Sequence, residues 1–116
     1  MIADQKMFDL SFLEEMNDTG FLVQVLELYL EDTPKDLAEM KRGLDDLEPL
    51  TIARSAHKLK SSTGMLQATR LSDVLEQTET LAKAGEVNDQ LSDLVDSAHE
   101  EFSVLKLALL LHLKTI

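Results

Sequence analysis

The chain has 116 residues, a length typical of one domain, and 44% of them are hydrophobic while only 4% are aromatic. Its formal charge of −11 argues against nucleic acid and anionic membrane surfaces as partners, because both attract positive charge. The absence of cysteine excludes disulfides, thiolate metal sites and thiol nucleophiles.

The N-terminal part of the chain contains three predicted helices. A short helix is expected over residues 9–16, and a second one starts near residue 21, with an apolar stripe formed by Phe21, Val25, Leu28 and Tyr29. This second helix should end at Thr33 and Pro34, because proline disfavours a helix interior and suits a first turn. Thr33 and Asp36 resemble a capping box for the third helix, which runs to about residue 47.

Three further helices complete the prediction. The fourth begins at Pro49, and its apolar positions recur at helical spacing: Ile52, Ala56, Leu59, Thr63 and Leu66. The fifth is capped by Thr69 and closes near Gly85. The last is capped by Asn88, and its seam has steps of four and three: Leu91, Val95, Ala98, Phe102, Leu105 and Leu109. The leucine-rich end of this helix, residues 105–113, is expected to lie in the core.

The order of these segments predicts the fold class. We expect an all-α protein in which residues 1–116 form a single domain. The four longer helices form an up-and-down bundle, with one or two additional N-terminal helical segments. The start at Met1 and the lack of a linker favour a free-standing protein.

His57 is the candidate functional residue of the fourth helix. It lies about 140° around the helix from the apolar stripe, so it should point to solvent. Adjacent turns carry small residues that leave space for another protein: Ala53, Ser61 and Gly64. Residues 50–72 contain no acid but four bases, which predict a positive patch around the histidine: Arg54, Lys58, Lys60 and Arg70. A neutral imidazole is nucleophilic, and Lys60 is placed to neutralise phosphoryl oxygens.

These residues resemble the signature of histidine-containing phosphotransfer (HPt) domains. The family pattern is approximately AHxLKGSS, then GA, then L with LE further on. It is similar to Ala56-His57-Lys58-Leu59-Lys60-Ser61-Ser62 followed by Gly64, Ala68 and Leu71, with Thr78 in place of the usual leucine before Glu79. Ser61 and Gln67 stand where the family usually has glycine. The resemblance implies that His57 accepts a phosphoryl group from a receiver-domain aspartate and passes it to another receiver, while Lys60 steadies the phosphate.

The resemblance also implies the partners of the protein. They are receiver domains of response regulators and a hybrid sensor kinase. The receiver supplies Mg²⁺, and the chain needs no cofactor or metal of its own and has no autonomous kinase activity. The docking surface should comprise Ala53, Arg54, Lys58, Ser61 and Gly64, with Gln24 as a hydrogen-bonding candidate. We expect a cytoplasmic monomer, since no leader and no membrane-spanning run is present.

Two alternatives remain open. A helical adaptor would keep the fold and dock receivers or kinases without carrying phosphate. A di-iron bundle would need two Glu-x-x-His motifs, and the chain offers one imperfect copy, Asp96 to His99. His99 and His112 lie on or beside the seam of the last helix, where packing or hydrogen bonding explains them.

Overall fold

The computed structural model describes residues 7–116, and this part of the chain contains five helices. They are α1 (Ser11–Glu14), α2 (Thr19–Asp45), α3 (Pro49–Met65), α4 (Thr69–Lys83) and α5 (Asp89–Leu113). The last four form a closed ring in which each helix packs on the next and α5 returns to α2. The all-α up-and-down bundle is therefore confirmed, with α1 as one additional N-terminal segment.

The long helix α2 passes through Pro34 without a break, so the predicted helix end and the capping box at Thr33 are wrong. One uninterrupted buried stripe crosses the proline: Leu22, Leu26, Tyr29, Thr33, Leu37, Met40 and Leu44. An internal proline costs about 3 kcal/mol, whereas burying each large apolar side chain contributes about 1.5 to 3 kcal/mol. The stripe after Pro34 outweighs the lost hydrogen bond, and Pro34 itself faces solvent.

The predicted register of the first half of α2 also needs correction. Phe21 and Leu28 are exposed, whereas Leu22, Leu26 and Tyr29 face the core. Tyr29 belongs both to the predicted stripe and to the observed one. Only the packing of neighbouring helices decides which of the two stripes is buried.

Most of the remaining helix ends follow the sequence signals. The Asn88 side chain accepts a hydrogen bond from the backbone N–H of Leu91 at 3.0 Å and caps α5. Gly85, with φ +88°, follows the end of α4, and Pro49 is the first residue of α3. The predicted cap at Thr69 is wrong, because Thr69 already lies within α4 and Ala68 occupies the cap position without a side-chain hydrogen bond.

The predicted seam of α5 is buried at all six positions, but the leucine-rich end is only half core. Leu105 and Leu109 are buried, whereas Leu107, Leu110 and Leu111 are exposed. Arg70, in the first turn of α4, pairs with Glu101, so roughly three turns of α5 extend past the start of α4. Fewer neighbours are available there to cover the helix. No helix in residues 7–116 is long and apolar enough to cross a bilayer.

Candidate functional site

The imidazole of His57 stands on the outer face of α3. Its side chain is 69% exposed. The opposite face of the helix is buried and is formed by the residues that the sequence pattern predicts, among them Ile52, Ala56 and Leu59. The predicted exposure of His57 is confirmed. A partner can therefore reach the ring without any rearrangement of the bundle.

A carboxylate that the sequence analysis did not assign holds the imidazole in place. His57 Nδ1 lies 2.9 Å from Oε2 of Glu79, on the neighbouring helix α4. The Glu79 side chain is 6% exposed and has two further cationic partners. Lys60 Nζ is 3.0 Å from Oε1, and Lys83 Nζ is 2.9 Å from Oε2. We refer to His57, Lys60, Glu79 and Lys83 as the Glu79 network.

The network fixes the protonation state of its carboxylate. The hydrogen bond from Lys83, with those from Lys60 and His57, lowers the pKa of Glu79 to about 2, although burial opposes this shift. An ionised carboxylate only accepts hydrogen bonds, so the Nδ1 of His57 must carry the proton that joins them. In the neutral ring, Nε2 then holds a free lone pair and is the nucleophilic nitrogen.

Lys60 lies beside His57, but its ammonium group is already paired with Glu79. The side chain is 35% exposed, and an ammonium has three N–H donors. One donor can serve Glu79, which leaves two others available to an incoming anion. Its predicted contact with phosphate stays a prediction.

The base-only stretch around His57 is less positive in three dimensions than in sequence. Lys58 pairs with Asp36 of α2 at 3.2 Å, and Arg70 pairs with Glu101 of α5 at 3.1 Å. Within residues 7–116, Arg54 makes no ion pair. The predicted positive patch is thus corrected to a largely neutralised surface, because acids from other helices reach most of its cations.

Two of the three small residues predicted beside His57 are exposed. Ser61 and Gly64 face solvent, and a Cβ added at Gly64 would meet no atom of residues 7–116 within 4 Å. Nothing in the fold itself requires glycine at position 64, so its effect is to leave open space near the histidine. Ala53 is only 5% exposed and offers almost no surface to a partner, which corrects its assignment as a docking residue.

An apolar groove of about 230 Å³ runs between α2 and α3 next to Lys58. Its lining includes Val25, Leu28 and Met65, of which Leu28 and Met65 are exposed large side chains. Gln24 is also exposed on α2, one turn before Leu28, and no hydrogen bond joins it to His57 within the described residues. A role of Gln24 toward phosphate remains a prediction.

The backbone explains why glycine is usual at the position of Gln67. Gln67 has φ +49°, in the left-handed region that follows a helix end, and its N–H donates to the carbonyl of Gly64 at 3.1 Å. Glycine adopts this conformation without the steric cost that a Cβ brings. Glutamine at position 67 therefore adds backbone strain that the glycine usual in the family avoids.

The other two histidines have structural surroundings, as expected. His99 Nδ1 lies 2.9 Å from the carbonyl oxygen of Val95, and the ring of His112 packs edge-on against Phe8 with centroids 5.5 Å apart. Among the described residues, no three His, Asp or Glu side chains converge as a metal site would need. Within that part of the chain, Asp96 and His99 therefore belong to no group of three potential metal ligands.

Glu79 could have been singled out in the sequence. It occupies a core-facing position in α4, beside Leu75 and Ala82, where an isolated carboxylate would be costly. Such a position requires cations, and Lys83 one turn later is one of them. The sequence could not show that the other two partners come from α3.

A family model described as "Hpt domain" matches residues 24–112, which include all of the Glu79 network. No curated protein and no solved structure matches the chain significantly.

Proposed function

The chain belongs to the Hpt domain family, and on that basis we propose that His57 carries a phosphoryl group between aspartates of receiver domains. One observation carries the proposal. The Nδ1–H of an exposed imidazole donates a hydrogen bond to a buried, ionised carboxylate, which leaves Nε2 as a nucleophile facing solvent.

The chemistry of the transfer follows from that geometry. The lone pair of Nε2 attacks the phosphorus of a receiver's aspartyl phosphate, so an N–P bond forms while the P–O bond to the aspartate breaks and the carboxylate leaves. The imidazole ring then becomes cationic, because Nδ1 keeps its proton. Glu79 stabilises this charge. The same reaction in the reverse direction transfers the phosphoryl group from His57 to the aspartate of a second receiver.

The lysines of the Glu79 network have different tasks in this mechanism. Lys60 is close enough to share its ammonium group between Glu79 and the phosphoryl oxygens, which carry negative charge throughout the transfer. Lys83, which binds the same Glu79 oxygen as His57, helps to keep the carboxylate ionised. Glu79 and Lys83 are thus positioning residues, whereas His57 bonds to phosphorus.

The surface around His57 fits a docking protein. Ser61 and Gly64 leave room for the receiver's active-site face, and the groove with Leu28 and Met65 supplies apolar contact. Arg54 and Lys58 lie at the rim, where charge affects the rate of encounter more than affinity. The receiver would bring its own Mg²⁺, so this chain needs no metal of its own.

The same proposal assigns the place of the protein in signalling. A hybrid sensor kinase and one or more response regulators supply and accept the phosphoryl group, in the cytoplasm. The chain acts as a carrier without kinase activity, because the reacting aspartate and the metal belong to its partners.

Incubation with a receiver phosphorylated on aspartate tests the carrier role. Wild-type protein should acquire label that is labile in acid and stable in base, as phosphohistidine is, and His57→Gln should acquire none. His99→Gln serves as the control, since His99 lies on another helix and should not affect labelling. Absence of label with every receiver of the same organism would instead support the adaptor.

A second variant in the same assay tests the positioning role of Glu79. Glu79→Gln should still accept label but transfer it roughly 10- to 100-fold more slowly, as the loss of one hydrogen bond to a charged group predicts. Glu76→Gln is the matched control, because Glu76 is exposed on the same helix. Unchanged rates in Glu79→Gln would remove Glu79 from the mechanism while leaving the carrier role intact.

A further inference from the structure

The last three turns of α5 carry an apolar stripe on their outer face. It consists of Val104, Leu107, Leu110 and Leu111, and Leu107 and Leu111 are 65% and 64% exposed. At 100° per residue, Leu107 lies about 160° around the helix from the centre of the buried seam. Among residues 7–116, the bundle core therefore leaves this stripe without a packing partner.

The charges on this part of the helix differ from those of the rest of the chain. Residues 100–114 contain Glu100 and Glu101 against Lys106 and Lys114, so their formal charge is zero in a chain of −11. Two identical molecules repel each other at most orientations, but this segment adds no net repulsion. A second copy that approaches this segment therefore meets no net charge repulsion from it.

The stripe is also self-complementary. Glu100 and Lys114 each lie seven residues from Leu107, which is a heptad step, so all three share one line along the helix. When two such helices pair antiparallel with Leu107 at the centre, Lys114 of each copy faces Glu100 of the other. Leu110 and Leu111 of one copy then contact the turn of the other copy that contains Ser103 and Val104.

We propose that this stripe is a homodimer interface, in which α5 pairs antiparallel with α5 of a second copy about a two-fold axis at Leu107. The two helices form an isologous contact, with leucines at its centre and a Glu100–Lys114 ion pair at each end. Its area is small, since it rests on about three turns of one helix. Dissociation constants on the order of 0.1 mM suit such contacts, so the protein is a monomer when dilute.

The dimer leaves the functional site free. In the ring of helices, α3 packs between α2 and α4, across the bundle from α5. The two copies of His57 would then face outward on opposite sides of the dimer. Each can meet a receiver without competition from the other copy.

Sedimentation equilibrium of the full chain from about 10 µM to 1 mM tests the interface. The weight-average mass should rise toward that of a dimer, and Leu107→Glu should raise the midpoint concentration at least about tenfold, because two like charges would meet on the axis. Leu50→Glu is the matched control, since Leu50 is 64% exposed on α3, and it should dimerise like wild type. A mass that stays monomeric over the whole range would overturn the proposal.

Charge exchange tests the antiparallel geometry. Glu100→Lys and Lys114→Glu should each weaken the dimer, because like charges then face each other at both ends, and the double variant should regain wild-type association. Failure of the double variant to recover would refute the pairing about Leu107. Because the chain has no cysteine, Leu107→Cys should also give a disulfide dimer under mild oxidation, more rapidly than Leu50→Cys.

Discussion

At the scale of single residues, Glu79 determines what His57 can do. A buried carboxylate with three nitrogen donors stays ionised, and this forces the imidazole proton onto Nδ1. The exposed histidine alone would exchange between tautomers. The chemistry that we propose therefore depends on a residue 22 positions away in the chain.

The free-energy cost of the left-handed backbone conformation at Gln67 can be measured. A non-glycine residue in the left-handed region costs about 1 to 2 kcal/mol, and glycine loses about 0.5 to 1 kcal/mol more backbone entropy on folding. Gln67→Gly should therefore stabilise the protein by about 0.5 to 1 kcal/mol in urea unfolding. Gly85→Ala, at φ +88°, is the opposite control and should destabilise it. A less stable Gln67→Gly variant would contradict the assignment of strain.

At the scale of secondary-structure elements, α2 and α3 are joined by a buried polar contact. The hydroxyl of Tyr29 lies 2.8 Å from Oγ1 of Thr63, and burial raises the pKa of Tyr29 above its usual value. The Tyr29 ring also packs edge-on against Phe102 of α5, with centroids 6.1 Å apart. One side chain thus fixes the position of three helices, including the one that bears His57.

Tyr29→Phe isolates the hydrogen bond, because it retains the ring and its packing. The free energy of unfolding should fall by about 1 to 2 kcal/mol, since the Thr63 hydroxyl loses a buried partner. A double-mutant cycle with Thr63→Val should give a coupling of about 1 kcal/mol by urea denaturation. A coupling near zero would show that the two hydroxyl groups do not stabilise each other.

At the scale of the whole molecule, the Glu79 network connects α3 to α4 and links stability to pH. The folded pKa of Glu79 is about 2, below its ordinary value of 4.5, so the network stabilises the fold above pH 4.5. This contribution is lost as the pH falls from 4.5 to 2, because the carboxylate becomes protonated.

Comparison of wild type with Glu79→Gln should reveal that dependence. Wild type should be more stable at pH 6, and the difference between the two proteins should shrink as the pH approaches 2. Urea unfolding at several pH values measures it, and the difference removes the contribution of the other carboxylates. Glu76→Gln should follow wild type throughout, and a gap that does not change with pH would contradict the role of Glu79.

Local patterns in the sequence determined much of this protein. The spacing of apolar residues in α3 and α5 predicted which faces are buried and that His57 is exposed, because helix geometry fixes the direction of each side chain. Asn88, Gly85 and Pro49 marked helix ends through interactions within a few residues. The signature around His57 identified the family for the same reason, since its residues are neighbours on one helix.

The tertiary structure alone decided what depends on the rotation and stagger of neighbouring helices. It carried α2 through Pro34, because a stripe that continues on both sides of the proline packs against the other helices. It also left Leu107, on the side of α5 opposite the buried seam, without cover from any neighbouring helix in residues 7–116. It brought Glu79 to His57, because the carboxylate on α4 and the imidazole on α3 meet only when the two helices are packed together.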